Sequence, residues 1–146
     1  MLRSRYGNNS ISKKDKLAVS GIDVSGVEYV TVDFSITEDT DDWLARLINS
    51  GFNPATKTLF IWEGVTYYLK NYMIDSTLQR ITSICKDASV AADVLSKKVT
   101  SAAKAKMKKN FGEPFLSGFV VGGEADLLKR NGFVVEEGGV ITTIEM

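Results

Sequence analysis

A chain of 146 residues, 44% hydrophobic and 25% charged, has the size and make-up of one globular domain with a single apolar core rather than of a disordered or fibrous protein. Lys plus Arg and Asp plus Glu each total 18, so no net field draws the chain to nucleic acid or to an anionic membrane. The absence of histidine and the single Cys85 exclude Ser-His and Cys-His nucleophile pairs, a Cys/His metal site and an internal disulfide. No stretch approaches the ~20 apolar residues of a membrane span, and the two early arginines lead into no apolar run, so a reducing, cytoplasmic setting is expected.

In chain order, residues 1–10 are polar, with a Gly-Asn-Asn-Ser run, and are read as a loose tail. Ser12 followed by Asp15 offers an N-cap with an acid three positions on, which predicts a short helix to about Ser20, stopped by Gly21. Residues 1–20 are therefore taken as tail and helix, and residues 21–146 as the folded domain. Glu28 to Val32 is β-branched and aromatic and predicts a strand, with Asp33 at its C-terminal end. Trp43, Leu44, Leu47 and Ile48 recur at helical spacing, with Asp39, Asp41 and Asp42 at the favourable N-terminal end and Gly51 past the stop.

Thr58 to Trp62 is an almost unbroken apolar run, as expected of a parallel strand buried on both faces, and Asn53-Pro54 makes the turn before it. Tyr72 to Cys85 predicts a helix with Ile74, Leu78, Ile81 and Ile84 on one face, and Ser89 to Val94 a further strand. Ser96 to Lys109 alternates alanine and lysine with little beyond Val99 and Met107 to bury, so it reads as a helix with a broad solvated face. Glu124 to Arg130 is a helix closed by Asn131-Gly132. Phe133 to Glu136 and Val140 to Glu145 then flank Gly138-Gly139 as a β-hairpin. Strand and helix alternate and end in an antiparallel pair, which predicts an α/β fold with a mostly parallel sheet. No repeat divides the chain, and no Gly-rich turn follows a first strand.

Ligands of open α/β sheets lie beyond the carboxyl ends of the strands. Asp33 stands at such an end and offers an acceptor for an exocyclic amine, with Phe34 as a surface for a flat ring; on residue type alone, Asp33 reads as a turn or capping residue. Glu63 directly follows an apolar strand, where a carboxylate needs a partner, either a cationic ligand group or a Lys or Arg of a neighbouring helix. Of Tyr67 and Tyr68 beyond it, Tyr67 is assigned to packing.

Several spaced runs carry a resemblance. Gly21 to Phe34, Asp42-Trp43-Leu44, Gly51-Phe52-Asn53-Pro54 and Leu59 to Leu69 (Leu-Phe-Ile-Trp-Glu-Gly-Val-Thr-Tyr-Tyr-Leu) resemble, in order, the middle of the leucine carboxyl methyltransferase family. Gly112-Glu113-Pro114-Phe115 and Leu127 to Phe133 are similar to its C-terminal region, so the likeness spans roughly Gly21 to Glu136. The resemblance implies methyl transfer from S-adenosylmethionine, usually to an oxygen, on a Rossmann-like sheet whose last strand is antiparallel. By position it implies that Asp33 binds the adenine amine, that Phe34 lines the adenine pocket, that Glu63 with Gly64 lies near the methionine part of the cofactor, and that Tyr68 stands beside the methyl-transfer centre. A carboxylate acceptor is already a nucleophile, so neither histidine nor metal is needed.

Family members carry, ahead of the matched region, a Gly-containing turn after a first strand and an acid after a second. Neither is found here, and in the family those strands lie between the ones ending at Asp33 and at Trp62. The expectation is therefore a fragment whose sheet edges offer a route to self-association. Other outcomes are strands supplied by another chain or paired in a new order. The expected function is methylation of a small-molecule or protein carboxylate. The rivals are a non-catalytic α/β remnant acting as an interaction module and an unrelated nucleotide-binding α/β domain.

Overall fold

The computed structural model describes residues 19–23, 25–28, 30, 43–120, 123–135 and 141–143. The chain divides into two units, residues 1–52 and 53–146. In the first, Val19 is helical and Gly21 lies in the left-handed region, at φ 72°. Of the strand expected from Glu28 to Val32, Glu28 and Val30 are described, and neither belongs to a regular element. Asp33, Phe34, Asp39, Asp41 and Asp42 lie outside the described residues. Helix α1 spans Trp43–Asn49 with Leu44 buried. It ends at Gly51, as its spacing predicts, where Ser50 and Phe52 donate their N–H groups to the carbonyls of Arg46 and Leu47.

The second unit holds a four-stranded sheet among the described residues: β1 (Thr58–Trp62), β2 (Ala88–Ala92), β3 (Val134–Val135) and β4 (Ile141–Thr143), in the order β1-β2-β4-β3. β1 and β2 run parallel, Thr58 beside Ala88 through Trp62 beside Ala92. β4 inserts between β2 and β3 and runs antiparallel to both. Three strands thus point one way and the last points back, which agrees with the predicted α/β sheet. Parallel neighbours need a crossover, and helix α2 (Asn71–Ile84) supplies it between β1 and β2. Helices α3 (Lys97–Phe111) and α4 (Gly123–Arg130) follow β2.

Side-chain alternation divides the sheet into two unlike faces. In-register pairing puts Phe60, Trp62, Ala88 and Val90 on one side. There α2 lays down Ile74 and Leu78, and α4 lays down Leu127 and Leu128, leaving between them and the sheet an apolar cavity of about 30 Å³. Met73, Ile81, Cys85 and Phe133 complete this core, and burial pushes the Cys85 thiol up. On the other side Leu59 and Ile61 are 53% and 72% exposed. That corrects the expectation of a strand buried on both faces: an apolar run reports what a strand would gain from cover, whereas the described helices α2 and α4 cover one side only. Helix α3 brings a smaller correction. Val99 is exposed and Thr100 is the buried side chain, because Gly118 approaches so closely that a Cβ there would stand 3.0 Å from the Lys97 Cα.

An aspartate clasps α2 to α4. Arg130 donates Nε and Nη2 to the two Asp75 oxygens at 3.0 and 2.8 Å, and Asn131 donates Nδ2 to Asp75 Oδ1 at 2.7 Å and to the Leu127 carbonyl at 2.8 Å. The Arg130 hydrogen bonds hold the Asp75 carboxyl below its ordinary value, and Asp75 raises Arg130 in turn. Asp75, Arg130 and Asn131 also line an open groove of about 430 Å³ on this flank. Its charged groups are satisfied by one another.

Candidate functional site

The parallel register brings the exits of β1 and β2 side by side, the place where an α/β sheet presents ligand-binding loops. Glu63 leaves β1, and Gly64 follows at φ 74°. A residue with a Cβ meets a steric penalty of about 1–2 kcal/mol in that region, so glycine is the natural occupant of this turn. The chain then coils through a short 3₁₀ turn, Thr66–Tyr68, closed by the Tyr68 N–H on the Val65 carbonyl at 3.0 Å.

Asp93, the first residue past β2, faces this turn. Its N–H donates to the Trp62 carbonyl at 3.2 Å, its Oδ1 accepts the Gly64 N–H at 2.9 Å, and its carbonyl accepts the Thr66 hydroxyl. A third segment, Phe115 to Phe119, lies across both exits. The Leu116 and Ser117 N–H groups donate to the Tyr67 carbonyl, Ser117 Oγ donates to the Thr66 carbonyl at 2.8 Å, and Phe119 exchanges backbone hydrogen bonds with Leu95 and Lys97.

Three rings fill the angle between these segments. Tyr67 stands 4.9 Å from Tyr68 and 5.1 Å from Phe115, and Tyr68 stands 5.3 Å from Phe115, all at tilted or edge-on angles that suit the ring quadrupoles. Tyr67 thus packs as expected, and its hydroxyl also reaches over Gly64, 3.9 Å from where a Cβ would stand. Burial, then the negative fields of Asp93 and Glu63, push the Tyr67 phenol up, so it remains a hydrogen-bond donor at neutral pH.

Of the sequence-predicted site residues, Glu63, Gly64 and Tyr68 lie on the one stretch that leaves β1. Asp33 and Phe34 lie outside the described residues. Glu63 is exposed rather than set in the sheet interior, and among the described residues it makes no ion pair, so the alternative of a Lys or Arg from a neighbouring helix is not realised there. Sequence reasoning missed Asp93, Thr66 and Ser117. The available signal was Asp93 itself, an acid following a short parallel strand.

A sequence model of the family described as leucine carboxyl methyltransferase matches residues 8–82, just over half of the chain. The chain belongs to that family. The match takes in part of the predicted tail, which the likeness read from residues had left out, and covers the whole β1 exit. A comparison with curated proteins finds no match. The Glu-Gly-Val-Thr-Tyr-Tyr-Leu run lies within the residues matched to the leucine carboxyl methyltransferase family, and the distant Gly-Glu-Pro-Phe run lies beyond them. The first supplies Tyr67 and Tyr68, the second supplies Phe115, and the three rings meet.

Proposed function

We propose that this leucine carboxyl methyltransferase family member binds S-adenosylmethionine and methylates a carboxylate oxygen of a protein or small-molecule acceptor, with Glu63 and Gly64 at the methionine end of the cofactor and Tyr68 beside the transfer centre. Asp33 and Phe34 take the adenine by position in the family pattern. The observation that carries this reading is the Glu63-Gly64 turn at the carboxyl end of a parallel strand, with the Tyr67 hydroxyl beside Gly64 and the Tyr67, Tyr68 and Phe115 rings packed on one another. An exposed carboxylate with no cation partner among the described residues fits an ammonium group, and an exposed glycine, whose missing Cβ would meet only the Tyr67 hydroxyl at 3.9 Å, lets a ligand approach the backbone.

The cofactor supplies a methyl group on a sulfonium, and an ionised acceptor needs no base. What this chain's residues contribute is alignment. Glu63 holds a positive ligand group by charge-assisted hydrogen bonding. The Tyr67 hydroxyl stands beside Gly64 and, kept protonated, offers a donor there. Among the described residues, no helix is long and apolar enough to cross a membrane.

Isothermal titration with S-adenosylmethionine and its demethylated product tests this. Binding in about the micromolar range is expected, weakened about ten- to a hundredfold by Glu63→Ala, as befits one lost charge-assisted bond of about 1.5–3 kcal/mol. Asp33→Ala should weaken it as well. Methyl label released from the acceptor by alkali would mark an ester and hence a carboxylate. No heat with either ligand would transfer the chain to the non-catalytic reading.

A further inference from the structure

Glu63 makes no hydrogen bond or ion pair of its own among the described residues, so its direction depends on the backbone that carries it. The peptide joining Glu63 to Gly64 is planar, and whatever fixes the Gly64 N–H fixes the Glu63 carbonyl with it. In this chain that N–H is held by the Asp93 carboxylate at 2.9 Å, across 29 residues of sequence. The far end of the same turn is held by the Thr66 hydroxyl on the Asp93 carbonyl, across 27 residues. The Asp93 N–H on the Trp62 carbonyl continues the β1–β2 ladder to the point where the turn begins. One residue therefore grips the turn before Glu63, just after it and at its end. Glycine makes the grip necessary, because it adopts φ 74° without strain but supplies no stiffness of its own.

We propose that Asp93 is a positioning residue for methyl transfer: by accepting the Gly64 N–H, its carboxylate sets the peptide plane that aims Glu63 at the cofactor's ammonium group. The inference rests on the reading of Glu63 given above. The competing role for the same side chain is direct charge contact with the ligand, since its negative field reaches the neighbouring Tyr67 phenol. The two roles separate by chemistry, because an asparagine at this position keeps an oxygen to accept the N–H and loses the charge.

The test uses the full chain, ¹⁵N-labelled, as wild type, Asp93→Ala and Asp93→Asn, with two readouts: the chemical shift and hydrogen exchange of the Gly64 amide, and titration with S-adenosylmethionine. Asp93 is exposed, so the amides of α2 and β2 should be unchanged in both variants. Asp93→Ala should free the Gly64 amide and weaken binding about tenfold or more, whereas Asp93→Asn should restore the amide signature and bring affinity back to within about threefold. Asp93→Asn binding as weakly as Asp93→Ala with a normal Gly64 amide would overturn positioning in favour of charge contact. Wild-type affinity in Asp93→Ala would overturn it as well. Should the wild type bind neither the cofactor nor its demethylated product, the methyltransferase reading fails by itself. The clasp is then judged by the amide alone, and a Gly64 resonance indifferent to Asp93→Ala would sink it.

Discussion

Two aspartates tie distant parts of this chain together, and they do so in unlike ways. On the α2–α4 flank, Asp75 gives both oxygens to a guanidinium and one of them also to the buried Asn131 amide, so its charge is answered inside the fold. At the strand exits, Asp93 accepts a main-chain N–H, and among the described residues no cation reaches it or its neighbour Glu63. A neutralised carboxylate holds helices; carboxylates left without a cation beside a glycine turn remain available to a positive ligand. The difference ties the flank to stability and, on the function proposed above, the exits to recognition, a division that the following substitutions probe.

The largest effect on folding belongs to the flank. Leu78 is 1% exposed beneath the sheet, and Leu78→Ala should cost about 2–5 kcal/mol in denaturant unfolding, through lost burial and the cavity left behind. Cofactor affinity of the fraction that remains folded should be unchanged. An affinity loss as large as that of Glu63→Ala would break the division, because it would mean that the exits are held in shape by the core beneath them rather than by Asp93.

Asp75 comes next. Its partner Arg130 is 56% exposed, so solvent screening limits the ion pair itself to about 0–1 kcal/mol. Loss of the acceptor for the Asn131 amide brings Asp75→Ala to about 1–2 kcal/mol. The sign with pH follows from the depressed carboxyl. The folded-state value lies below the unfolded value of about 3.9, so the stabilisation is complete above about pH 5 and is lost as pH falls through the folded value. Asp75→Asn should therefore be less stable than wild type at neutral pH and approach it in acid, as read from urea midpoints at both ends. A gap that stays constant with pH would show that the Asp75 charge does not act through Arg130.

Much of this arrangement was legible in the residues. Thr58–Trp62 announced itself by composition, Asn71–Ile84 by its 3.6-residue period, and Gly21, Gly51 and Gly132 by the left-handed stops that favour glycine. The place of Glu63 and Gly64 at a strand exit was legible because an apolar strand ends in front of them. Asp93 escaped by the same logic misapplied by two residues. Reading the second strand as Ser89 to Val94 put Asp93 inside it, while the structure ends that strand at Ala92 and leaves Asp93 in the loop. No local pattern fixes such a boundary, since Ala, Val and Asp there carry no cap. The contacts of Phe115 and Ser117 were invisible for another reason: their partners Tyr67 and Thr66 lie about fifty residues earlier, and periodicity does not report contacts at that separation.

The division also says where substitution should do almost nothing. Ile61 belongs to an apolar strand and by composition ought to be buried, yet it is 72% exposed on the face away from α2 and α4. Ile61→Thr keeps a β-branched side chain, so the strand's backbone preference is unaltered, and a side chain this open has little burial to lose. The expected change is within about 0.5 kcal/mol in unfolding and negligible in cofactor affinity. A cost of about 2 kcal/mol or more would place a covering partner on that face and make the sheet two-sided after all. The same measurement repeated over a range of protein concentrations identifies the cover: a cost that grows with concentration belongs to a second copy of the chain, and one that does not belongs to the chain itself.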